Sequence, residues 1–541
     1  MHLDWIVSGA CLLASPGLGP GAGGEGERSI VFGLYSTSPV TTLDYVDAHD
    51  RGRMVVEAQL MEGLLGYDTA AADRLVPALA EKHDALDART YVFHVRKGVL
   101  FHPHRHGDQP ADREELTADD VAFSLMRAKS VDPPTAYLLQ SVETVVAVGD
   151  GLLRIQLTKP DADLLPGLAT SIGHVTCKEY YESLGDDDVE RAEAFRKAPV
   201  GTGPYRLEEP LRDSEPITLV KFNSHWDREW ARSSRSVDRV TFEYRADTFA
   251  MAEGLSSGDI TMSTMLLADL GTGVNLDPNR VVRHELKPPF LSIVAFNLKK
   301  PYLQDSRLRR MINAAVDKTE ALSICPSKGD DVPEEGTGYY LDIVCRNLDE
   351  GPSLPAFGDL DEIGSLQHLR DHGPLELMVL DKEDLIRDRL IESIRVDLDG
   401  YLGLKVRVTP EPAAVFLDRI YAEEPDFDLV YIDWTPDTPW NRGVGSVLNP
   451  LFNSESRTNY SRFRNEDVDI FLAQIKRLGD RRSQHNIFKK IQRVLLEEAP
   501  FIWLPTVRHD TVLFDRGHEL RAGGSVLLYY TPFLKNVRVK E

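Results

Sequence analysis

Two spacings of hydrophobic and polar positions organise the chain. Where apolar residues fall on every second position the pattern predicts strands: Tyr91, Phe93 and Val95; Leu153, Ile155 and Leu157; Val240, Phe242 and Tyr244; Leu404, Val406 and Val408. Ser29 to Asp47 reads as a strand and then a polar turn, and Phe427 to Trp434 (FDLVYIDW) as a nearly continuous strand entering a proline-rich loop. Apolar residues recurring every three or four positions predict helices. Met54 to Leu65 puts Val56, Leu60 and Leu64 on one face before Gly66, Ile391 to Leu402 ends at Gly403, and Ile487, Ile491, Val494 and Leu495 form a stripe that stops before Pro500. Leu255 to Ile260 reads as a helix end with a Gly-Asp turn. Thr117 followed by Asp120 is an acidic capping box that opens a helix through Ala122 and Leu125. Strands and helices alternate, so the class is α/β.

Composition narrows the function. A chain of 541 residues holds roughly three or four domain-sized units, and 42% hydrophobic residues supply globular cores rather than a disordered coil. Its 62 basic and 86 acidic residues leave a net charge of −24, with no long Lys/Arg block, so the surface repels phosphodiester backbones and nucleic acid is not an expected partner. A small cationic or zwitterionic ligand fits that balance. There is no GxSxG, HExxH, phosphate-binding loop or GxGxxG after a strand, and the neighbouring Asp119 and Asp120 point apart on a helix. No catalysis, cofactor or resident metal is expected.

The ends and cysteines bear on compartment. Trp5 to Ala14 is a ten-residue apolar run followed by a Pro/Gly/Ala-rich stretch, Ser15 to Gly24, resembling a signal peptide's core and cleavage zone, although His2 and Asp4 stand where basic residues belong. Residues 1–28 therefore read as a signal-like, structure-poor leader. Cys11 follows Ser8, Gly9 and Ala10, the small residues of a lipid-attachment site without its usual leucine. Cys325 and Cys345 fit either one loop-closing disulfide or two free thiols. No apolar run reaches the roughly 20 residues of a spanning helix, so membrane contact is expected only by association or a lipid anchor.

Longer motifs then appear in a fixed order: EGLLGYD (Glu62 to Asp68), LVPALAEKHD (Leu75 to Asp84), TYVFHVRKGVLFH (Thr90 to His102) and LTADDVAFS (Leu116 to Ser124). GTGPYRL (Gly201 to Leu207), FNSHWD (Phe222 to Asp227), SGDI (Ser257 to Ile260) and the segment Phe296 to Lys318 follow, then FDLVYIDWTPD (Phe427 to Asp437), Asn459-Tyr460 and EEAPFIWL (Glu497 to Leu504). This series resembles the family 5 extracellular solute-binding proteins, the dipeptide and oligopeptide receptors of ABC importers and their relatives. Asp330 to Asp381 and the loop TPWNRGVG after Asp437 depart from the family pattern, which leaves ligand identity open.

The resemblance implies a two-lobed periplasmic-binding-protein-like fold with an additional subdomain in the first lobe. Residues 29–48, 176–286 and 509–541 would form the core of lobe 1, 49–175 its extra subdomain and 287–508 lobe 2, with hinges near Lys287 and His509. The function implied is an exported, monomeric receptor on the periplasmic or extracellular face. It would trap a small ligand, expected to be a short peptide, and deliver it to ABC permease subunits; alternatives are a metal or haem carrier on the same fold, or a ligand-sensing regulatory domain. Resembling receptors hold the peptide α-ammonium with a carboxylate three residues after a strand-end Trp, which here are Asp437 and Trp434. Tyr137 and Trp440 are further ligand candidates, while Asp437 between two prolines also fits a turn former, and Trp434 fits a core position.

Two clusters weigh against a site. His102, His104 and His106 would share one face of a strand with metal-binding capacity, but the adjacent Pro103, Gly107 and Asp108 favour a solvated loop. Arg307, Arg309 and Arg310, interleaved with Leu308 and Met311, predict a helix with one solvated and one buried face, with carboxylate binding as the alternative.

Overall fold

The computed structural model describes residues 28–35, 39–47, 51–68, 74–106, 109–111, 114–131, 136–245, 248–266, 276–317, 364–381, 385–434, 444–478, 481–504, 507–515, 517–520 and 534–540. Its spine is an eleven-stranded sheet with two differently wound halves. In the first half Ser29–Tyr35 lies parallel between Arg239–Arg245 and Met262–Leu266, and the helix Thr248–Ser257 carries the chain across. Ile217–Lys221 and Tyr205–Leu207 extend this half antiparallel. In the second half Leu375–Leu380 lies parallel between Val406–Glu411 and Leu429–Trp434, connected through the helices Leu385–Leu402 and Ala413–Tyr421.

Two antiparallel strands, Val281–Phe296 and Val507–Asp515, join the halves. Their register shifts between Leu286 and Pro289. Pro288 and Pro289 have no N–H to give to the ladder, so the pairing is interrupted where the chain passes between halves.

Core placement follows the strand period. On Val281–Phe296, Ile293 and Ala295 enter a cluster with Val430, Leu451 and Trp503, while Val294 and Phe296 enter the opposite one with Leu303, Leu377 and Leu429. The second half-sheet is therefore covered on both faces. In the first half one continuous apolar cluster runs from Ile30 and Phe242 to Phe93, Leu153 and Ile155, so the four-stranded antiparallel sheet built from Ala80–Asp87, Thr90–Val95, Leu152–Leu157 and Val142–Ala147 shares its core with the main sheet.

Most patterned segments take the expected form. Thr117 and Asp120 cap the helix Ala118–Val131 reciprocally, Asp120 N–H donating to Thr117 Oγ1 at 3.3 Å and Thr117 N–H to Asp120 Oδ2 at 2.9 Å. Gly403, at φ +65°, ends the helix Leu385–Leu402. One boundary differs. The helix expected over 54–65 spans Arg51–Leu60, and Leu65–Tyr67 is a strand paired with Leu75–Pro77. The Leu60 carbonyl, which a longer helix would use internally, accepts from Gly203 N–H at 2.9 Å. A side chain at 203 would place its Cβ 2.5 Å from the Gln59 carbonyl, so the glycine permits this docking.

Candidate functional site

The strand Leu429–Trp434 sets the geometry around the sequence-predicted ligand residues. Trp434 is its last residue and lies opposite Leu291, which on its other side lies opposite Val507. Three strands meet there, at the edge of the crossing pair. The indole is 7% exposed and packs in the cluster with Leu448, Phe452, Phe501 and Trp503. Asp437 and Trp440 lie outside the described residues. Tyr137 belongs to the short 3-10 helix Ala136–Leu139, its side chain outside the description.

The opposite face of the strand carries a polar group that periodicity alone did not single out. Tyr431 and Asp433, two positions apart, share this face. The Tyr431 hydroxyl donates to Asp433 Oδ1 at 2.9 Å and the buried Ser292 hydroxyl donates to the same oxygen at 3.2 Å. A carboxylate is thus held by two hydroxyls four residues before Asp437. The available signal was the alternation of Tyr and Asp within FDLVYIDW.

A pair of carboxylates lies where the two halves touch away from the crossing strands. Ala162 N–H donates to the Lys476 carbonyl at 2.8 Å. The flanking Asp161 and Asp163 are each 3% exposed, and the Oδ2 of each has no partner among the described residues. Burial pushes the Asp163 carboxyl up to about 6; Lys476 opposes the rise and the Asp161 charge adds to it. A carboxyl raised above its unfolded value penalises the packed state when ionised, so stability is fullest below the ordinary aspartate range and declines as pH rises toward 6. Asp163→Asn is expected to raise stability at pH 7 by ~1–2 kcal/mol and to flatten the melting profile between about pH 4 and 6. An unchanged profile in thermal melts of the variant would remove Asp163 from that role.

The histidine run is not the solvated loop its neighbours suggested. His102 is 3% exposed and its Nε2 donates to the Gly203 carbonyl at 3.0 Å; burial pushes the imidazole down to about 4. His104–His106 pairs with Gln109–Ala111 as a hairpin. The His104 side chain is 2% exposed, and Nδ1 donates to the His102 carbonyl at 2.8 Å. Its Nε2 faces Glu114 at 2.9 Å and Cys177 at 3.9 Å. The two imidazoles thus serve different partners, and the His106 side chain lies outside the description. Burial, with the Glu114 carboxylate beside it, pushes the Cys177 thiol up. Sequence reading missed this group because Cys177 and Gly203 lie 73 and 101 residues from their histidine partners.

The arginine cluster divides as a two-faced helix would. On Ser306–Ala315, Leu308 and Met311 are buried and Arg307 is exposed beside Asp305. Arg309 is on the buried side, donating to the carbonyls of Leu303, Glu498 and Ala499, and so satisfies the end of the helix Arg481–Glu498.

Among the described residues no helix is long and apolar enough to cross a membrane. The sequence model for bacterial extracellular solute-binding proteins, family 5 Middle, matches residues 74–454. The dipeptide-binding protein of Escherichia coli (strain K12) is 24% identical over 468 residues, covering 81% of each chain. Haem-binding protein A of Haemophilus influenzae is 25% identical over 474 residues, covering 83% of this chain and 81% of its own. The ABC transporter-associated periplasmic binding protein DppA of Helicobacter pylori, solved with the peptide STSA, superposes with a TM-score of 0.75 at 18% identity, covering 96% of this chain and 99% of that one. The fold is the two-lobed periplasmic-binding type, and the chain belongs to the family 5 bacterial extracellular solute-binding proteins.

Proposed function

We propose that the protein is an exported receptor that captures a short peptide between its lobes and hands it to the permease of an ABC importer. Support comes from relatives named for dipeptide binding and from one structural neighbour solved with a peptide. The observation that carries the reading is the seat of Trp434, at the meeting of the second half-sheet with the crossing strands, with Thr-Pro-Asp directly after it. A peptide bound there would add as a strand through backbone hydrogen bonds, which accept any sequence, and the Asp437 carboxylate takes its α-ammonium. The lobes divide as 29–48, 176–286 and 509–541 with the subdomain 49–175, against 287–508. The broken ladder beside Lys287 is where the backbone yields during closure. Only a ligand with better contacts in the closed state shifts that equilibrium.

Asp437→Asn tests the site. The affinity of a peptide with a free amino terminus is expected to fall by ~1.5–3 kcal/mol, the range for hydrogen bonds to a charged group, and that of its N-acetylated form to stay nearly constant. Calorimetric titration reads both, and equal losses would assign Asp437 a structural turn instead. A haem cargo is the second reading, favoured by the relative named haem-binding protein A. Native mass spectrometry of the purified chain separates the two by the mass of co-purified ligand.

A further inference from the structure

Three side chains with metal-binding atoms converge outside the region assigned to the peptide. His104 Nε2, a Glu114 carboxylate oxygen and Cys177 Sγ all lie within 4.8 Å of one another. Each is placed by a different piece of local structure. His104 opens the hairpin His104–His106/Gln109–Ala111. Glu114 is fixed beside it because its carbonyl accepts from Phe101 N–H at 2.9 Å and the next residue, Glu115, bridges Leu100. Cys177 precedes the helix Lys178–Glu182, and its sulfur accepts from Tyr180 N–H at 3.3 Å.

The chemistry of this set is that of a cation site. His104 spends Nδ1–H on the His102 carbonyl, which turns Nε2 toward the other two side chains. Metal-binding histidines are commonly oriented in this way, by a backbone carbonyl on the second ring nitrogen. Tyr180 packs edge-on against the ring at 5.0 Å and fixes its plane. With no cation, Cys177 Sγ donates its proton to Glu114 Oε1 at 3.0 Å. A divalent ion would replace that proton and the one shared by His104 Nε2 and Glu114 Oε2 at 2.9 Å, both of which leave to solvent, and the two charges of thiolate and carboxylate would balance the ion's two.

We propose that His104, Glu114 and Cys177 form a binding site for a borderline-soft divalent cation of the zinc class. Nitrogen, oxygen and sulfur together select such an ion over Mg2+ or Ca2+, which take oxygen ligands. Tetrahedral bonds of about 2.0–2.3 Å set donors roughly 3.3–3.7 Å apart. The present separations are 2.9 Å from His104 Nε2 to Glu114 Oε2, 3.0 Å from Cys177 Sγ to Glu114 Oε1 and 3.9 Å from Nε2 to Sγ, and one donor atom from each residue lies within 4.8 Å of the others, so side-chain adjustment of about an ångström reaches that spacing. Glu114, with 20% of its side chain exposed, faces the entry path, and a water completes the fourth position. The ion would clip the hairpin to the segment before Lys178–Glu182, independently of what occupies the lobe interface.

The full-length chain without an affinity tag is titrated with Co2+ and then Zn2+. One Co2+ per chain is expected, with thiolate-to-cobalt charge-transfer absorption that Zn2+ abolishes and Mg2+ or Ca2+ leaves intact. Cys177→Ser should remove the band and weaken Zn2+ binding by at least about tenfold; His104→Ala and Glu114→Gln should weaken it by about ten- to a hundredfold. Serine also caps helices, so Cys177→Ser should keep its fold, as circular dichroism would report. Absence of a charge-transfer band in the wild-type chain, or wild-type Zn2+ affinity in both Cys177→Ser and Glu114→Gln, would overturn the site; peptide affinity is unaffected by either outcome.

Discussion

Replacing Glu62 with alanine is expected to cost about 3–5 kcal/mol of folding stability while leaving ligand affinity within about twofold of wild type. The Glu62 carboxylate, its side chain 9% exposed, accepts from Thr202 Oγ1 at 2.9 Å, Trp226 Nε1 at 2.9 Å and His225 Nε2 at 3.2 Å. The ring of His225 is assigned by its other nitrogen: Nδ1 accepts from Asp227 N–H at 3.2 Å, so Nε2 carries a proton and donates. Truncation strands three donors, two of them on residues no more than 1% exposed. Burial alone would raise the Glu62 carboxyl, but His225, Lys535 and Trp226 outweigh it and hold it below the ordinary glutamate range. A depressed carboxyl contributes stability that is complete above its unfolded value and is lost as pH falls through the lower folded value. Glu62→Gln, which keeps one acceptor oxygen, should therefore lose this acid-side component and cost less than alanine does. Urea unfolding at neutral and acidic pH reads both variants. An alanine variant within about 1 kcal/mol of wild type would mean that this network is replaceable by water.

That network shows what the recurring motifs encode. Glu62 comes from EGLLGYD, Thr202 from GTGPYRL, and His225 and Trp226 from FNSHWD, so three motifs spread over more than 160 residues meet at one carboxylate. Their order was legible in the sequence; their convergence was not, since neither period nor spacing says which distant segments touch. The period was a good guide to strands such as Leu152–Leu157, where Leu153, Ile155 and Leu157 are buried, and Arg239–Arg245, where Val240 and Phe242 are buried and Tyr244 is partly so. It was a poor guide to the end of Arg51–Leu60, because Leu64, at the bend before the strand Leu65–Tyr67, is buried as it would have been on a helix. At the proposed ligand region, Trp434 was found at the strand end, but its burial with Phe452 and Trp503 depends on helices that follow it. The reading of His102 and His104 as solvated failed for the same reason: a loop-like local composition cannot register partners beyond Cys177. Arg309 illustrates the converse, a charge buried because it meets carbonyls supplied by another helix's end.

A loss of the same size is expected from breaking the ion pair between Arg127 and Asp44. Arg127, on the helix Ala118–Val131, donates from Nη1 to Asp44 Oδ1 at 2.9 Å and from Nη2 to Oδ2 at 2.5 Å, a bidentate fork. The side chains are 7% and 1% exposed. Its guanidinium also lies over the Tyr181 ring at 4.5 Å and near Tyr45 and Phe195 at 5.3 Å. Removing the arginine alone leaves a carboxylate buried among aromatic rings, so Arg127→Ala should cost about 3–5 kcal/mol. Arg127→Lys should recover only part of this, because an ammonium neither matches both carboxylate oxygens nor stacks on the rings. The double variant Asp44→Asn with Arg127→Met removes both charges and keeps apolar volume, so it should cost less than the two single changes added together. The difference, obtained from a double-mutant cycle of urea unfolding, measures the pair. Coupling near zero would show the two charges to be independently solvated. Coupling of several kcal/mol would instead make this contact a principal weld between the segment 39–47 and the helix packed on it. The proposed closure requires such welds, since motion can concentrate at the interrupted ladder only if the parts on either side stay rigid.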